Sequence, residues 1–144
     1  MPFTDIYSIA GSAMTAQTVR LNTVASNLAN ADAVSANADD AYKALKPVFA
    51  TVYNKTQLAA SDNAYPGAEV RVLDVVQSKG KAEKRFEPHN PLADNDGYVY
   101  YPDIDVVAEM ADMMSATRSF ETNAEVLANV KSMQQGLLRL GQGS

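Results

Sequence analysis

Residues 104–140, IDVVAEMADMMSATRSFETNAEVLANVKSMQQGLLRL, decide what shape this chain can take. From Ile104 the apolar positions recur at helical intervals. Met110, Met113, Thr117, Phe120, Ala124 and Leu127 step by three and four, and the stripe continues through Val130 or Lys131 to Gln134 and Leu138. Asp103 or Asp105 suits the positive end of such a helix, and Gly141 suits its stop. Gly136 weakens the last turns by about 1 kcal/mol relative to Ala.

A helix of that span is roughly 55 Å long at 1.5 Å per residue, whereas a compact chain of this length has a radius of gyration of about 15 Å. One helix would outreach the globule meant to contain it, so it needs a long companion. The other end of the chain supplies one. From about Asp5 to Ala31, Tyr7, Met14, Leu21 and Leu28 are spaced by seven, with Ala10, Gln17, Val24 and Ala31 offset by three. These rows make a coiled-coil-like seam, weakened by Gln17 and by small alanines. Ile6, Ile9, Ala13 and Ala16 add a neighbouring apolar strip, which suits a helix that touches more than one partner. The pattern predicts a mainly α fold with a small β-rich insert, its long N- and C-terminal helices paired as an elongated coiled-coil-like element. Residues 1–33 and 103–144 form the helical domain and 34–102 the β-rich or irregular insert.

Two paired helices cannot bury four apolar strips between them. The surplus must meet other chains, because helix stability in proteins comes chiefly from tertiary contacts. The first helix agrees: through residue 31 only Asp5 and Arg20 are charged, and its remaining surface is Ser, Thr, Asn and Gln. A solvated face would carry Lys and Glu. Its stretch RLNTVASNLANA, 20–31, holds three asparagines despite their low helix propensity, and a neutral amide can donate and accept across a subunit boundary where a charge would have to be desolvated. Terminal helices of this kind are expected to be mobile in the monomer and to order on assembly.

Between the helices, DAVSANADDA (32–41) reads as a loop, KPVFATVY (46–53) as a strand, TQLAASDNAYPG (56–67) as another loop and EVRVLDVVQ (69–77) as the clearest strand. KGKAEKR (79–85) reads as a polar turn or hairpin tip. Asp96-Gly97 is a turn dipeptide before the short strand Tyr98–Tyr100.

Candidate chemistry is sparse. The formal net charge of −5 argues against nucleic acid and against an anionic membrane surface. With no cysteine there is no thiolate nucleophile and no Cys-ligated zinc. Asp94, Asp96, Asp103, Asp105 and Glu109 form the one constellation that invites a metal or hydrolase reading. As a calcium loop its glycine falls at the fourth place instead of the sixth, and Asp105 stands where a bidentate Glu belongs. Turn-forming and helix-capping acids fit better. His89, the one histidine, reads as a loop residue between prolines, and Lys79, Lys81, Lys84 and Arg85 as a solvated basic run that could also meet an acidic partner. No Gly-rich phosphate loop is present. The sequence thus points to no catalytic, metal-binding or cofactor-binding residue and to no small-molecule substrate. No window approaches a membrane-spanning helix, so direct membrane insertion is not expected. The N-terminal stretch lacks the charged and apolar regions of a secretory signal, so a route out of the cytoplasm would have to be another one.

AGSAMTAQTVRLNTVASNLANA (10–31) and EMADMMSATRSFETNAEVLANVKSMQQGLLRL (109–140) resemble the paired terminal signatures of the bacterial flagellar rod and hook axial protein family. EPHNPLADNDGYVYYPDIDVVAEM (87–110) resembles the proximal-rod branch of that family. The chain departs from the family pattern in NADDAYK (37–43) and in Pro88-His89-Asn90-Pro91, both outside the helices. The resemblance implies a non-enzymatic structural subunit of the basal-body proximal rod, without cofactors, that assembles helically into a torque-transmitting drive shaft. It implies export through the flagellar type III apparatus without a cleaved signal peptide, into a rod that spans the periplasm. Its implied partners are copies of itself, other rod proteins, and the membrane-ring and export-gate end of the basal body. By the family pattern, Leu21, Asn22, Asn27, Leu28 and Asn30 of the first helix and Glu109, Met110, Met113, Arg118, Phe120, Glu121 and Asn123 of the last belong to an inner layer between subunits. The heptad rows and the C-terminal stripe add Tyr7, Met14, Val24 and Leu127. The rival readings are a soluble helical adaptor or chaperone for a partner helix and a small hydrolase using the acidic cluster.

Overall fold

A computed structural model describes residues 3–53 and 68–142. Along them run α1 (Phe3–Ala29), β1 (Leu45–Tyr53), β2 (Ala68–Gln77), β3 (Glu83–Phe86), β4 (Tyr98–Tyr101) and α2 (Val106–Gln142). Two long helices, one at each end of the chain, therefore frame a small β insert. β1 pairs with β2, and β3 pairs antiparallel with β4 in the register Glu83↔Tyr101, Lys84↔Tyr100, Arg85↔Val99 and Phe86↔Tyr98. The loop expected at 56–67 lies outside the described residues.

The helices start and stop for local reasons. Asp105 caps α2: its carboxylate accepts the amides of Val107 at 2.9 Å and Ala108 at 3.2 Å, satisfying two of the first turn's orphan donors. The helix begins at Val106, just past the Ile104 expected from the stripe. It also runs on through Gly136 and Gly141 to Gln142, which corrects the expected stop at Gly141. A glycine ends a helix by taking a left-handed conformation, and among the described glycines only Gly97 has a positive φ. α1 ends at Ala29, just before Asn30, whose side-chain amide donates to the Ser26 carbonyl at 2.8 Å.

Part of the polar surface of α1 is satisfied by its own helix. Ser12, Thr15, Thr18 and Thr23 donate their hydroxyls to the carbonyls of Ile9, Gly11, Met14 and Arg20. Such back-bonding leaves a face that is polar in composition yet makes little demand on water.

A second correction concerns the basic run. Residues 79–85 were expected as a polar turn or hairpin tip, but Glu83–Arg85 join Phe86 in β3. One apolar residue among Glu83, Lys84, Arg85 and Phe86 gives no alternation; the strand is paired with β4, and Lys84 and Arg85 add cationic contacts with its tyrosines.

The chain divides into two compact units. One draws its described residues from Met1–Val19, Phe49–Leu73 and Ala116–Ser144. In it Ala10, Ala16, Ala116 and Val130 are buried, the Tyr7 hydroxyl donates to Gln134 at 3.4 Å, and Ser12 Oγ accepts the Val70 amide at 3.1 Å. The other is made of Arg20–Val48 and Asp74–Ser115. Its interior holds Thr23, Val24, Asn27, Ala41, Ala44 and Val99, with Val99 fully enclosed. There α1 and α2 run antiparallel: Arg20 pairs with Asp112 at 2.7 Å, and Asn27, further along α1, bonds Glu109, earlier on α2. Among the described residues the buried apolar side chains are alanines, valines and Pro102. The interior is thus too small to absorb the longer apolar side chains.

Candidate assembly surface

The first site built by the sequence is polar. Asn27 lies in the last turns of α1 and is 1 % exposed. Its carboxamide pairs with the peptide group of Leu45, the first residue of β1: Nδ2 donates to the Leu45 carbonyl at 2.9 Å and Oδ1 accepts the Leu45 amide at 2.8 Å. The second N–H of Nδ2 donates to Glu109 Oε2 at 3.1 Å, and Oδ1 also accepts the Tyr42 hydroxyl at 3.1 Å. Both donors and both lone pairs are therefore used. Tyr42 in turn lies 3.0 Å from the Ser26 hydroxyl. The reason for an asparagine in this helix is thus inside the chain: the side chain stands in for a neighbouring strand at the edge of β1.

The second site is charged and open. On one face of the β3–β4 pair the Lys84 ammonium sits 4.0 Å from the centre of the Tyr98 ring and 5.9 Å from that of Tyr100, and Phe86 meets Tyr98 edge-on at 5.2 Å. On the other face Arg85 lies 4.5 Å over Tyr101 and pairs with Glu83 at 3.1 Å. The hydrogen bond and charge of Arg85 hold the Glu83 carboxyl below its usual range, and Glu83 raises the guanidinium in return. Glu87 accepts from the Asn90 amide and the Tyr101 hydroxyl, both at 3.0 Å, which lowers its pKa; the same bond raises that of Tyr101. Tyr100 extends the ladder by exchanging two backbone bonds with Ser35.

The expected acidic cluster is distributed among separate structural tasks. Asp94 accepts the amides of Tyr98 and Asp96 at 2.9 Å each, and the Tyr98 bond is the main cause of its lowered pKa. Those bonds close the turn that ends at Gly97, whose φ of 80° and whose crowding by Phe86 and Pro88 leave no place for a side chain. Asp103 lies beside Gly80, Asp105 caps α2 and Glu109 turns to Asn27. Among the described residues no group of three or more His, Asp or Glu side chains is placed to hold a metal ion. His89 is exposed in the turn region after β3.

The third feature is apolar and exposed among the described residues. On α2, Val107, Met110 and Met114 in one unit, and Met133, Leu137, Leu138 and Leu140 in the other, are more than half exposed. Of the expected interface residues on α1, Val24 and Asn27 are buried, Asn22 is exposed, and Tyr7, Met14, Leu21, Leu28 and Asn30 are half-buried. On α2, Met110, Met113, Arg118 and Glu121 are exposed, and Glu109, Phe120, Asn123 and Leu127 are half-buried. The Tyr42–Leu45 side of the Asn27 network and the Lys84–Tyr98 stack were not anticipated. The repeated tyrosines of YVYY opposite a basic strand were the available signal for the second. No helix among the described residues is long and apolar enough to cross a membrane.

Comparison with known proteins bears on these surfaces. A family model described as flagella basal body rod protein matches residues 8–36, and one described as flagellar basal body rod FlgEFG protein C-terminal matches residues 95–140. The chain is 48 % identical over 145 residues to the flagellar basal-body rod protein FlgC of Escherichia coli, covering 99 % of this chain and 100 % of that one. It is 46 % identical over 142 residues to FlgC of Salmonella typhimurium, with the same coverage, and 33 % identical over 146 residues to FlgC of Bacillus subtilis, covering 94 % and 95 %.

Proposed function

Since the chain belongs to the flagellar basal-body rod protein family, of which it is a structural, non-enzymatic subunit, we propose that it assembles helically into the proximal rod and transmits torque there through contacts between its helices and those of its neighbours. The observation that carries this reading is the set of large apolar side chains on α2 that stay exposed: Met110 and Met114 in one unit, and Met133, Leu137, Leu138 and Leu140 in the other. Apolar surface of this kind is stabilising only when another surface covers it.

In this reading the terminal segments 1–33 and 103–144 form the inner helical domain of the rod, paired in coiled-coil fashion, and 34–102 is the inserted segment beside it. The signature residues of the helices, from Tyr7 to Asn30 and from Glu109 to Leu127, make the inner layer between subunits. Asn27 and Glu109 contribute to it from within, by holding the backbone that presents it. Partners are copies of this chain, other rod proteins and the membrane-ring and export-gate end of the basal body. Export runs through the type III apparatus without a cleaved signal. A helix rich in Ser, Thr and Asn, weak by itself, suits passage in unfolded form.

Deleting the gene tests the proposal. Electron microscopy of the deletion strain should show membrane rings without rod, hook or filament, restored by the gene in trans. Normal rods and swimming in the deletion strain would overturn it.

A further inference from the structure

We propose that Asn27 is a conformational lock, through which α1, the start of β1 and the first turns of α2 order together as one cooperative step. The inference rests on the side chain's position and does not depend on the rod reading. Three segments distant in sequence, 22–28, 42–48 and 108–113, converge on one buried carboxamide within a single unit. The apolar contribution there is small: the neighbouring buried residues are Val24, Ala41 and Ala44, and Leu45 is half-buried. Small side chains fix neither the register of a helix pair nor the position of a strand against it. A carboxamide with four satisfied bonds does, since a one-residue slip would leave buried donors and acceptors without partners.

The arrangement is also not divisible. Undocking Leu45 exposes one edge of the Asn27 amide, and its remaining bonds, to Tyr42 and Glu109, then lose the geometry that the Leu45 peptide imposes. Withdrawing Glu109 leaves a buried N–H. Each arm therefore depends on the others, which is the condition for joint opening. The β3–β4 pair and its turn share the unit but none of these bonds, so they serve as an internal reference.

Amide hydrogen exchange on the full chain tests the lock. In Asn27→Ala, the amides of residues 22–28, of Leu45 and of 108–113 should exchange faster by a common factor of about tenfold or more, while Glu87 and Tyr98, whose amides are bonded to Gly97 and Asp94, keep their rates. Tyr42→Phe, which leaves the amide–peptide pair in place, should move the same three segments together by a smaller common factor. Acceleration confined to Leu45, acceleration spread equally over β3 and β4, or no protection at Leu45 in the parent chain would each overturn the proposal.

Discussion

Two polar clusters in the same unit solve opposite problems. Around Asn27 a neutral amide is buried and fully hydrogen-bonded. Along β3 and β4 the groups are charged, exposed and stacked on tyrosines. Burial makes the first expensive to disturb, because a lost partner leaves another group desolvated and unpaired. Solvent makes each contact of the second weak and dependent on salt and pH. The difference teaches where a chain with an interior of small side chains places its specificity: in a few neutral hydrogen bonds inside, with charge left at the surface.

Breaking the buried cluster should give the largest effect. Asn27→Ala leaves the Leu45 peptide group and one Glu109 oxygen without their partner and should lower stability by about 3 kcal/mol, read as a shift of the urea midpoint. The loss should be nearly the same at low and high salt. Next comes the turn that joins the open cluster. Gly97→Ala forces a side chain into a left-handed conformation against Phe86 and should cost about 1–2 kcal/mol, checked the same way. Smaller again, Lys84→Gln removes the cation from the Tyr98 and Tyr100 faces at about 0.5 kcal/mol, and the effect should shrink at high salt.

The finest distinction is pH. Asp94 and Glu87 titrate below their unfolded values in the folded chain, so their stabilisation is complete above about pH 4.5 and is lost as the pH falls through the folded values. Tyr101 titrates above its unfolded value, so its bond to Glu87 is complete below about pH 10 and is lost as the pH rises through the folded value. Following the β3–β4 resonances by NMR should show losses at both extremes. The Asn27 bonds to Leu45 should respond to neither titration. If Asn27→Ala proved as salt-dependent as Lys84→Gln, the contrast between the clusters would fail.

Much of this was legible in the residues. The helices declare themselves through steps of three and four, and β1, β2 and the strand at Tyr98 through β-branched and aromatic residues. β3 is hidden because Glu83, Lys84 and Arg85 look like a solvated turn until the tyrosines opposite are in place. The helix end is hidden because Gly141 can stop a helix only by changing its backbone conformation, and composition does not reveal whether it does. Asn27 stands out in the sequence as an asparagine needing a reason, and an amide bonded across a subunit boundary supplied one. Its main partner is the peptide group of Leu45, and a main-chain group has no signature in sequence. The exposed apolar side chains of α2 were visible as surplus apolar strips, and the function proposed for them came with the resemblance of the two ends to rod proteins.

The central claim is that these exposed side chains are covered by neighbouring subunits in the rod. Cryo-electron microscopy of intact basal bodies, at a resolution that shows side chains, tests it most directly. The account predicts density for this chain in the proximal rod, with Met133, Leu137, Leu138 and Leu140 covered by neighbouring subunits. Those side chains facing solvent in the assembled rod, or the chain missing from it, would contradict the account.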